Sequence, residues 1–379
     1  MGTVDPGFET GNSFALRLPE MNSMAYEAPG RPRLRVDLGR VDRILVVRLS
    51  SLGDIVHATP CLRALRGRFP SAEIFVAVER RFADLLRASP WVDGLIEAKT
   101  KTPSGGIATG FLEGRAALSH RQPFDLAIDL QGLSRSAGWV YASGARIRAG
   151  RGRFRPRWQL ASSSDLHRHA IEVCAVVLRD LGIPVDDLRP ELTTSAEADR
   201  VLHRRLVGLG IEPAEYVVAN PFSRWASKAW PAERWAALIT WIRSETGRIV
   251  VVSGGPGEEA QARSLSERLS AGSAVFLAGC LPLAEALCLY RRAVLVVSGD
   301  TGPMHAAAAL GTRVVALFGP TLPERTGPYG EEHAVLQALR PPEHHAYRRD
   351  PESRFMRALD LETVRAGVAR ALAAVAHSE

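Results

Sequence analysis

Short runs of apolar, β-branched-rich residues alternate along the chain with longer segments whose apolar positions recur at helical spacing. In the first half the runs are RILVVR, AEIFVAVE and FDLAIDLQG, separated by helical patterns such as TPCLRALRGRF and RRFADLLRAS. In the second they are YVVANP, RIVVVSGG, AVFLAG, AVLVVSGD and RVVALFGPT, separated by ERWAALITWIRSET, EEAQARSLSERLS and LAEALCLYRRA. A short continuous apolar run reads as a strand covered on both faces. Repeated strand-helix alternation predicts an α/β protein with parallel sheets and helices on both sides, so each half is expected to be a Rossmann-like unit. Proline, acidic and small polar residues interrupt both periods from Pro184 to Ala198, which places a boundary there. The expected organisation is a flexible leader over 1–40, an N-terminal domain over 41–190 and a C-terminal domain over 191–355. A last helix over 356–379 would pack as a lid or cross-brace, and two such domains facing a cleft would hold a ligand between them.

At 379 residues, 46% hydrophobic and 23% charged, the chain is long enough for two domains with sizeable cores. The runs AVLVVSG and RVVALFG fall well short of the ~20 residues that a membrane span needs, so no spanning helix is expected. The N-terminus has no apolar stretch behind a basic start and does not read as a secretory signal; Met21 and Met24 are alternative starts. Cys61, Cys174, Cys280 and Cys288 lie scattered in apolar segments without CxxC spacing and read as buried free thiols of a reducing cytoplasm. The formal charge is +7, and six arginines crowd the stretch from Arg146 to Arg157. That stretch is either a solvated basic loop or a landing surface for an anionic partner. Phe154 and Trp158 make too thin a stacking platform to favour nucleic acid.

Candidate chemistry collects at the carboxyl ends of the strands, where open α/β sheets bind ligands. In LSSLGDIVHATP, Asp54 follows the first strand, as a working carboxylate or as a helix N-cap. In VVSGDTGPMHAAAALG, Asp300 is expected to cap a small-residue helix, and the amides of Thr301 and Gly302 would face outwards as a cradle for a diphosphate. His305 follows one turn into that helix, where a core histidine is the alternative. The next strand ends in FGPT with Thr321, and SGGPGEE supplies a further polar strand end. In NPFSRWASKAWPAERW, Lys228 precedes a proline suited to a first helical turn and could set a point charge on a phosphate.

Together RLSSLGDIVHATP, FDLAIDLQGLSRSA, SKAWPAERW and SGDTGPMHAAAALGTRVVALFGPT resemble the ADP-heptose:lipopolysaccharide heptosyltransferases of glycosyltransferase family 9, over roughly Val41 to Gly330. The resemblance implies a GT-B fold and an inverting transfer of heptose from ADP-heptose to the Kdo/heptose inner core of lipopolysaccharide, with no metal and no cofactor. It also implies that Asp54 is the general base. On the donor side it implies Lys228, Asp300, Thr301, Gly302 and His305, with Glu258 or Glu259 on the ribose; Thr321, from its place at a strand end, is a further candidate donor to the leaving group. Ser51, Gly53, Arg135 and Arg155 fall on the acceptor side, the arginines facing Kdo carboxylates and lipid A phosphates. A basic N-terminal domain would suit peripheral contact with the anionic cytoplasmic face of the inner membrane. One departure is the absence of cysteines before the last helix, where only His344 and His345 stand, a weak metal signal. Two alternatives are a family 9 transferase with another sugar or acceptor and a nucleotide-sugar epimerase or binding protein that transfers nothing. A nicotinamide dehydrogenase is disfavoured, since SSLGD stands where GxGxxG would be.

Overall fold

The computed structural model describes residues 37–99, 106–151, 160–162, 168–212, 215–342 and 354–376. The first six strands are β1 (Arg43–Val47), β2 (Glu73–Glu79), β3 (Gly94–Ala98), β4 (Leu126–Asp129), β5 (Ile147–Arg151) and β6 (Leu160–Ser162). They are joined by α1 (Leu52–Val56), α2 (Thr59–Arg68), α3 (Ile107–Leu118) and α4 (Ser134–Ala142), and α5 (Ala170–Asp180) follows. All pair in parallel in the order β3-β2-β1-β4-β5-β6. The helical pattern RRFADLLRAS closes as a 3-10 segment over Arg80–Leu85 rather than as an α-helix.

The chain then crosses over residues 183–195 without regular structure and enters α6 (Ala196–Gly208). The second set of strands is β7 (Tyr216–Asn220), β8 (Ile249–Val252), β9 (Val275–Phe276), β10 (Leu295–Gly299), β11 (Val314–Phe318) and β12 (Ala334–Gln337). Its helices are α7 (Ala232–Thr246), α8 (Glu259–Ser266), α9 (Leu283–Arg292), α10 (Gly302–Ala309) and α11 (Pro323–Thr326). The parallel order here is β12-β11-β10-β7-β8-β9. Counted within each half, both sheets therefore run 3-2-1-4-5-6, and the winding reverses between the first and fourth strands. Those reversal points lie between β1 and β4 and between β7 and β10.

The central strands are the most apolar, as a strand covered by helices on both faces must be. Leu45, Val46 and Val47 of β1 and Val296 and Val297 of β10 have no exposed surface. The main apolar cluster contains Val46 and Ile55 from the first domain together with Met304 and Ala306 from the second, so the two cores join where α1 packs on α10. After α12 (Arg354–Ala358), the last helix α13 (Leu361–Ala376) packs on α7 and along β10, β11 and β12. It buries Val364, Val368 and Ala371 in the cluster that holds Trp230 and Trp235, an outer layer of the second sheet. Cys61, Cys174 and Cys288 are buried thiols, but Cys280 is exposed, contrary to expectation, because it sits in the turn after β9. Among the described residues no helix is long and apolar enough to cross a membrane.

Candidate active site

At the first reversal point β1 is followed by Arg48, a buried arginine that needs anionic or carbonyl partners. Its Nη2 donates to Asp54 Oδ1 at 2.9 Å, its Nε to the Asp54 carbonyl at 2.9 Å, and its Nη1 to the carbonyl of Leu130 beyond β4. Asp54 is not the N-cap of α1. Ser51 is, and Asp54 stands three residues on, its Oδ2 accepting from the Ser51 amide at 3.0 Å and from the Ser51 hydroxyl at 2.7 Å. Burial pushes this carboxyl up, but Arg48 and the two Ser51 bonds outweigh it, and the net shift is downward. Asp54 is thus an ionised, oriented carboxylate at neutral pH. Each carboxylate oxygen has two lone pairs, so Oδ2 is used up by Ser51 while Oδ1 keeps one for a further hydrogen.

At the second reversal point Asp300 follows β10 and is buried. Its expected capping role falls to Thr301, the N-cap of α10. The Asp300 carboxylate is drawn off instead by Lys228 Nζ at 2.6 Å and the Thr321 hydroxyl at 2.7 Å, both donating to Oδ2. Lys228 ends a 3-10 turn after β7, and Thr321 follows β11. Three strand ends distant in sequence thus meet on one carboxylate, and the first turn of α10 stands beside them.

The two reversal points touch through glycines. A Cβ on Gly302 would lie 2.9 Å from Leu52 Cβ, and one on Gly53 would lie 2.5 Å from His305 Cδ2. Gly53, expected on the acceptor side, makes room for the imidazole of the opposite domain. His305 is buried and bonds neither backbone nor solvent-side groups through Nδ1, which lies 3.1 Å from His57 Nε2. Burial lowers the His305 pKa, against the pull of Asp300 and Asp54.

After β8, Glu258 is the N-cap residue of α8 and accepts from the Gly255 amide at 2.7 Å, half-buried, with burial raising its pKa. Glu259 is turned to solvent and accepts from the Gly257 amide at 3.1 Å.

Arg135 corrects the sequence reading. It is buried, not turned to an acceptor, because the interior carboxylate of Glu79 at the end of β2 requires it: Arg135 Nη1 donates to Glu79 Oε1 at 2.8 Å. Its remaining donors meet Glu113 at 2.9 Å and the Lys99 carbonyl at 2.7 Å. Arg155, His344 and His345 lie outside the described residues. Sequence reasoning passed over Arg48 and His57; the signal was present, since a charge closing an apolar strand and an imidazole in an apolar helix both require a partner.

Comparison with known proteins identifies the family. The profile of glycosyltransferase family 9 (heptosyltransferase) matches residues 116–355, more than half of the chain. The chain belongs to glycosyltransferase family 9. Lipopolysaccharide heptosyltransferase 1 of Escherichia coli (strain K12) is 28% identical over 307 residues, covering 79% of this chain and 94% of that protein. The protein of the same name from Pseudomonas aeruginosa is 29% identical over 301 residues, covering 78% and 83%. Among solved structures, a glycosyl transferase family 9 protein of Veillonella parvula superposes with a TM-score of 0.81 at 24% identity, over 88% of this chain and 98% of that one. E. coli ADP-heptose lps heptosyltransferase II gives 0.72 at 22%, over 88% and 99%. These structures share the two-domain GT-B fold, and the family 9 member described here is a glycosyltransferase.

Proposed function

We propose that this family 9 enzyme transfers heptose from ADP-heptose to the Kdo/heptose inner core of lipopolysaccharide, in one inverting displacement and without a metal ion. The observation that carries the reading is the apposition of the two reversal points: the Arg48-held carboxylate of Asp54 on one side, and the Lys228–Asp300–Thr321 group with the N-terminus of α10 on the other. A single displacement needs a base on the face opposite the leaving group. Asp54 Oδ1 takes the proton of the acceptor hydroxyl as that oxygen attacks the anomeric carbon and the bond to the diphosphate breaks. Charge then grows on the diphosphate, where Lys228 and the amides of Thr301 and Gly302 act as fixed donors. Asp300 meets sugar hydroxyls and holds Lys228 in place. Both ribose candidates accept an amide of the loop after β8, and Glu258 is the half-buried one of the two. Ser51 serves the acceptor side by orienting Asp54. The depressed pKa makes Asp54 a modest base and a constantly ionised one, so its advantage is position.

The enzyme works in the cytoplasm, on an anionic glycolipid acceptor at the inner membrane surface. Support comes from the charge: residues 41–190 hold 22 Lys and Arg against 15 Asp and Glu, while the rest of the chain holds 26 of each. The first domain therefore carries the whole excess of +7, and a basic face favours an anionic surface. Turnover of ADP-heptose with Kdo2-lipid A in EDTA tests the reading. Native protein should form product and Asp54→Asn should lose about 10²–10⁴-fold in kcat while binding ADP-heptose as before. Product from Asp54→Asn at the native rate would remove the base, and inactivity of the native protein in EDTA alone would remove metal independence.

A further inference from the structure

Three buried imidazoles meet where the two domains touch. His57 ends α1, His169 caps α5, and His305 lies one turn into α10. The His57 ring stands edge-on to both others, with centroids 4.4 Å from His305 and 5.5 Å from His169. The tautomer of His169 follows from its bonds: Nδ1 accepts from the Ile171 amide, and Nε2 therefore carries the proton given to the Gly327 carbonyl at 3.1 Å. His57 Nε2 and His305 Nδ1 are 3.1 Å apart and share a single proton. His57 Nδ1 is buried and has no hydrogen-bond partner among the described residues.

That orphan nitrogen decides the direction of the bond. If His305 donated, His57 would have to carry its own proton on Nδ1, burying an N–H with no acceptor. If His57 donates from Nε2, only a bare lone pair is buried. Orphaned buried N–H groups are rarer than under-used acceptors and cost the full desolvation of a donor. The second arrangement puts the His305 proton on Nε2, on the ring edge that lies against Gly53; a Cβ there would be 3.2 Å from that nitrogen. Burial lowers the pKa of all three rings, so they are neutral near pH 7. The charged groups acting on His305 are Asp300, Asp54 and Lys228, and Arg48 acts on His57.

We infer that His57, from the N-terminal domain, is a positioning residue that fixes the tautomer of His305, so that His305 presents Nε2–H as a hydrogen-bond donor to an oxygen of the nucleotide sugar. The inference rests on the proposed donor site, which it deepens. The bond crosses from one domain to the other, so this donor is set only while α1 and α10 are in contact. A donor to an oxygen on which charge grows acts more strongly in the transition state than in the bound ground state. Its loss lowers kcat more than it raises KM.

The test is nitrogen-15 NMR on protein labelled at the histidine rings, which reads the tautomer without any substrate, with His305→Gln supplying the assignment. Native protein should show His305 protonated on Nε2. His57→Leu should lose that preference, whereas His57→Gln, whose amide sets an N–H near the former Nε2, should keep it. In turnover of ADP-heptose, His57→Leu should lower kcat about tenfold or more with KM for the nucleotide sugar little changed. His57→Gln should restore most of kcat, and adding His57→Leu to His305→Leu should cost nothing further. A native His305 protonated on Nδ1, a folded His57→Leu with native kcat, or independent losses in the double variant would each overturn the proposal. If native protein does not turn over ADP-heptose, the proposed function fails while the tautomer measurement still decides the role of His57.

Discussion

Arg135→Met separates a structural arginine from an acceptor-binding one. Arg135 ties the end of β2 to α3 and α4, and Glu79 beneath it has no exposed side-chain surface. Removing one partner of a buried pair leaves a charge stranded in the interior, at a typical cost of about 3–5 kcal/mol. Glu79 keeps a second cation, Arg81, at 2.8 Å, but that side chain is half exposed, so the low end, about 3 kcal/mol, is expected. For a domain of this size each kcal/mol lowers the melting temperature by about 2–4 °C, which predicts a fall of about 6–12 °C by calorimetry. Glu79→Gln added to Arg135→Met should recover part of the loss, since the stranded charge disappears. Assayed well below its midpoint, the single variant should keep its acceptor KM within about twofold, because a side chain that touches no substrate alters no binding. An unchanged melting temperature with a raised acceptor KM would refute the burial argument and return Arg135 to the acceptor side.

Three further outcomes are expected. Lys228→Met removes the cation beside Asp300 and should lower kcat/KM for the nucleotide sugar by about 10²–10³-fold; a loss below tenfold in steady-state kinetics would mean that Lys228 does not serve the leaving group. Gly53→Ala places a methyl 2.5 Å from the His305 ring, so kcat should fall while circular dichroism stays native, and unaltered kinetics would show that the ring moves freely. Acid should destabilise the fold between pH 6.5 and 4. His169 drops from 6.5 to about 4 on burial, so across that window the unfolded chain holds a proton that the native state lacks. Its share, about 3 kcal/mol, is complete above pH 6.5 and gone below 4. Burial shifts His57 and His305 the same way. Asp129, raised by burial from 3.8 to about 6, opposes them with a comparable acid gain, so Asp129→Asn should steepen the decline. A higher urea midpoint at pH 4.5 than at pH 7 would contradict this balance.

The central strands of each half were legible because buried parallel strands write themselves as continuous apolar runs, as ILVV and VLVVS do at β1 and β10, whereas their order in the sheets and the outer strands β3, β5, β6 and β12 were not. The carboxylates were legible for a related reason: Asp54 and Asp300 stand just beyond those runs, where the winding reverses. Their local roles were not. Capping was expected of Asp300 and was the alternative for Asp54, and in each the N-cap is the hydroxyl residue nearby, Ser51 or Thr301. A stronger partner, Arg48 or Lys228, holds the carboxylate. Short-range rules rank caps by residue type, whereas the carboxylate goes to the nearest cation in space.

By itself the sequence determined the two α/β halves, the edge of each sheet that bears the chemistry, and the residue types gathered there, since these depend on local periodicity and on turns a few residues long. Only the tertiary structure decided which of those residues meet. Arg135 went to the interior because Glu79 and Glu113, 56 and 22 positions away, converge on it. His57 found His305 across 248 residues and a domain boundary, and Gly53 makes room for that imidazole. Burial and pairing energies depend on distance in space, and a chain read residue by residue contains only distance along itself.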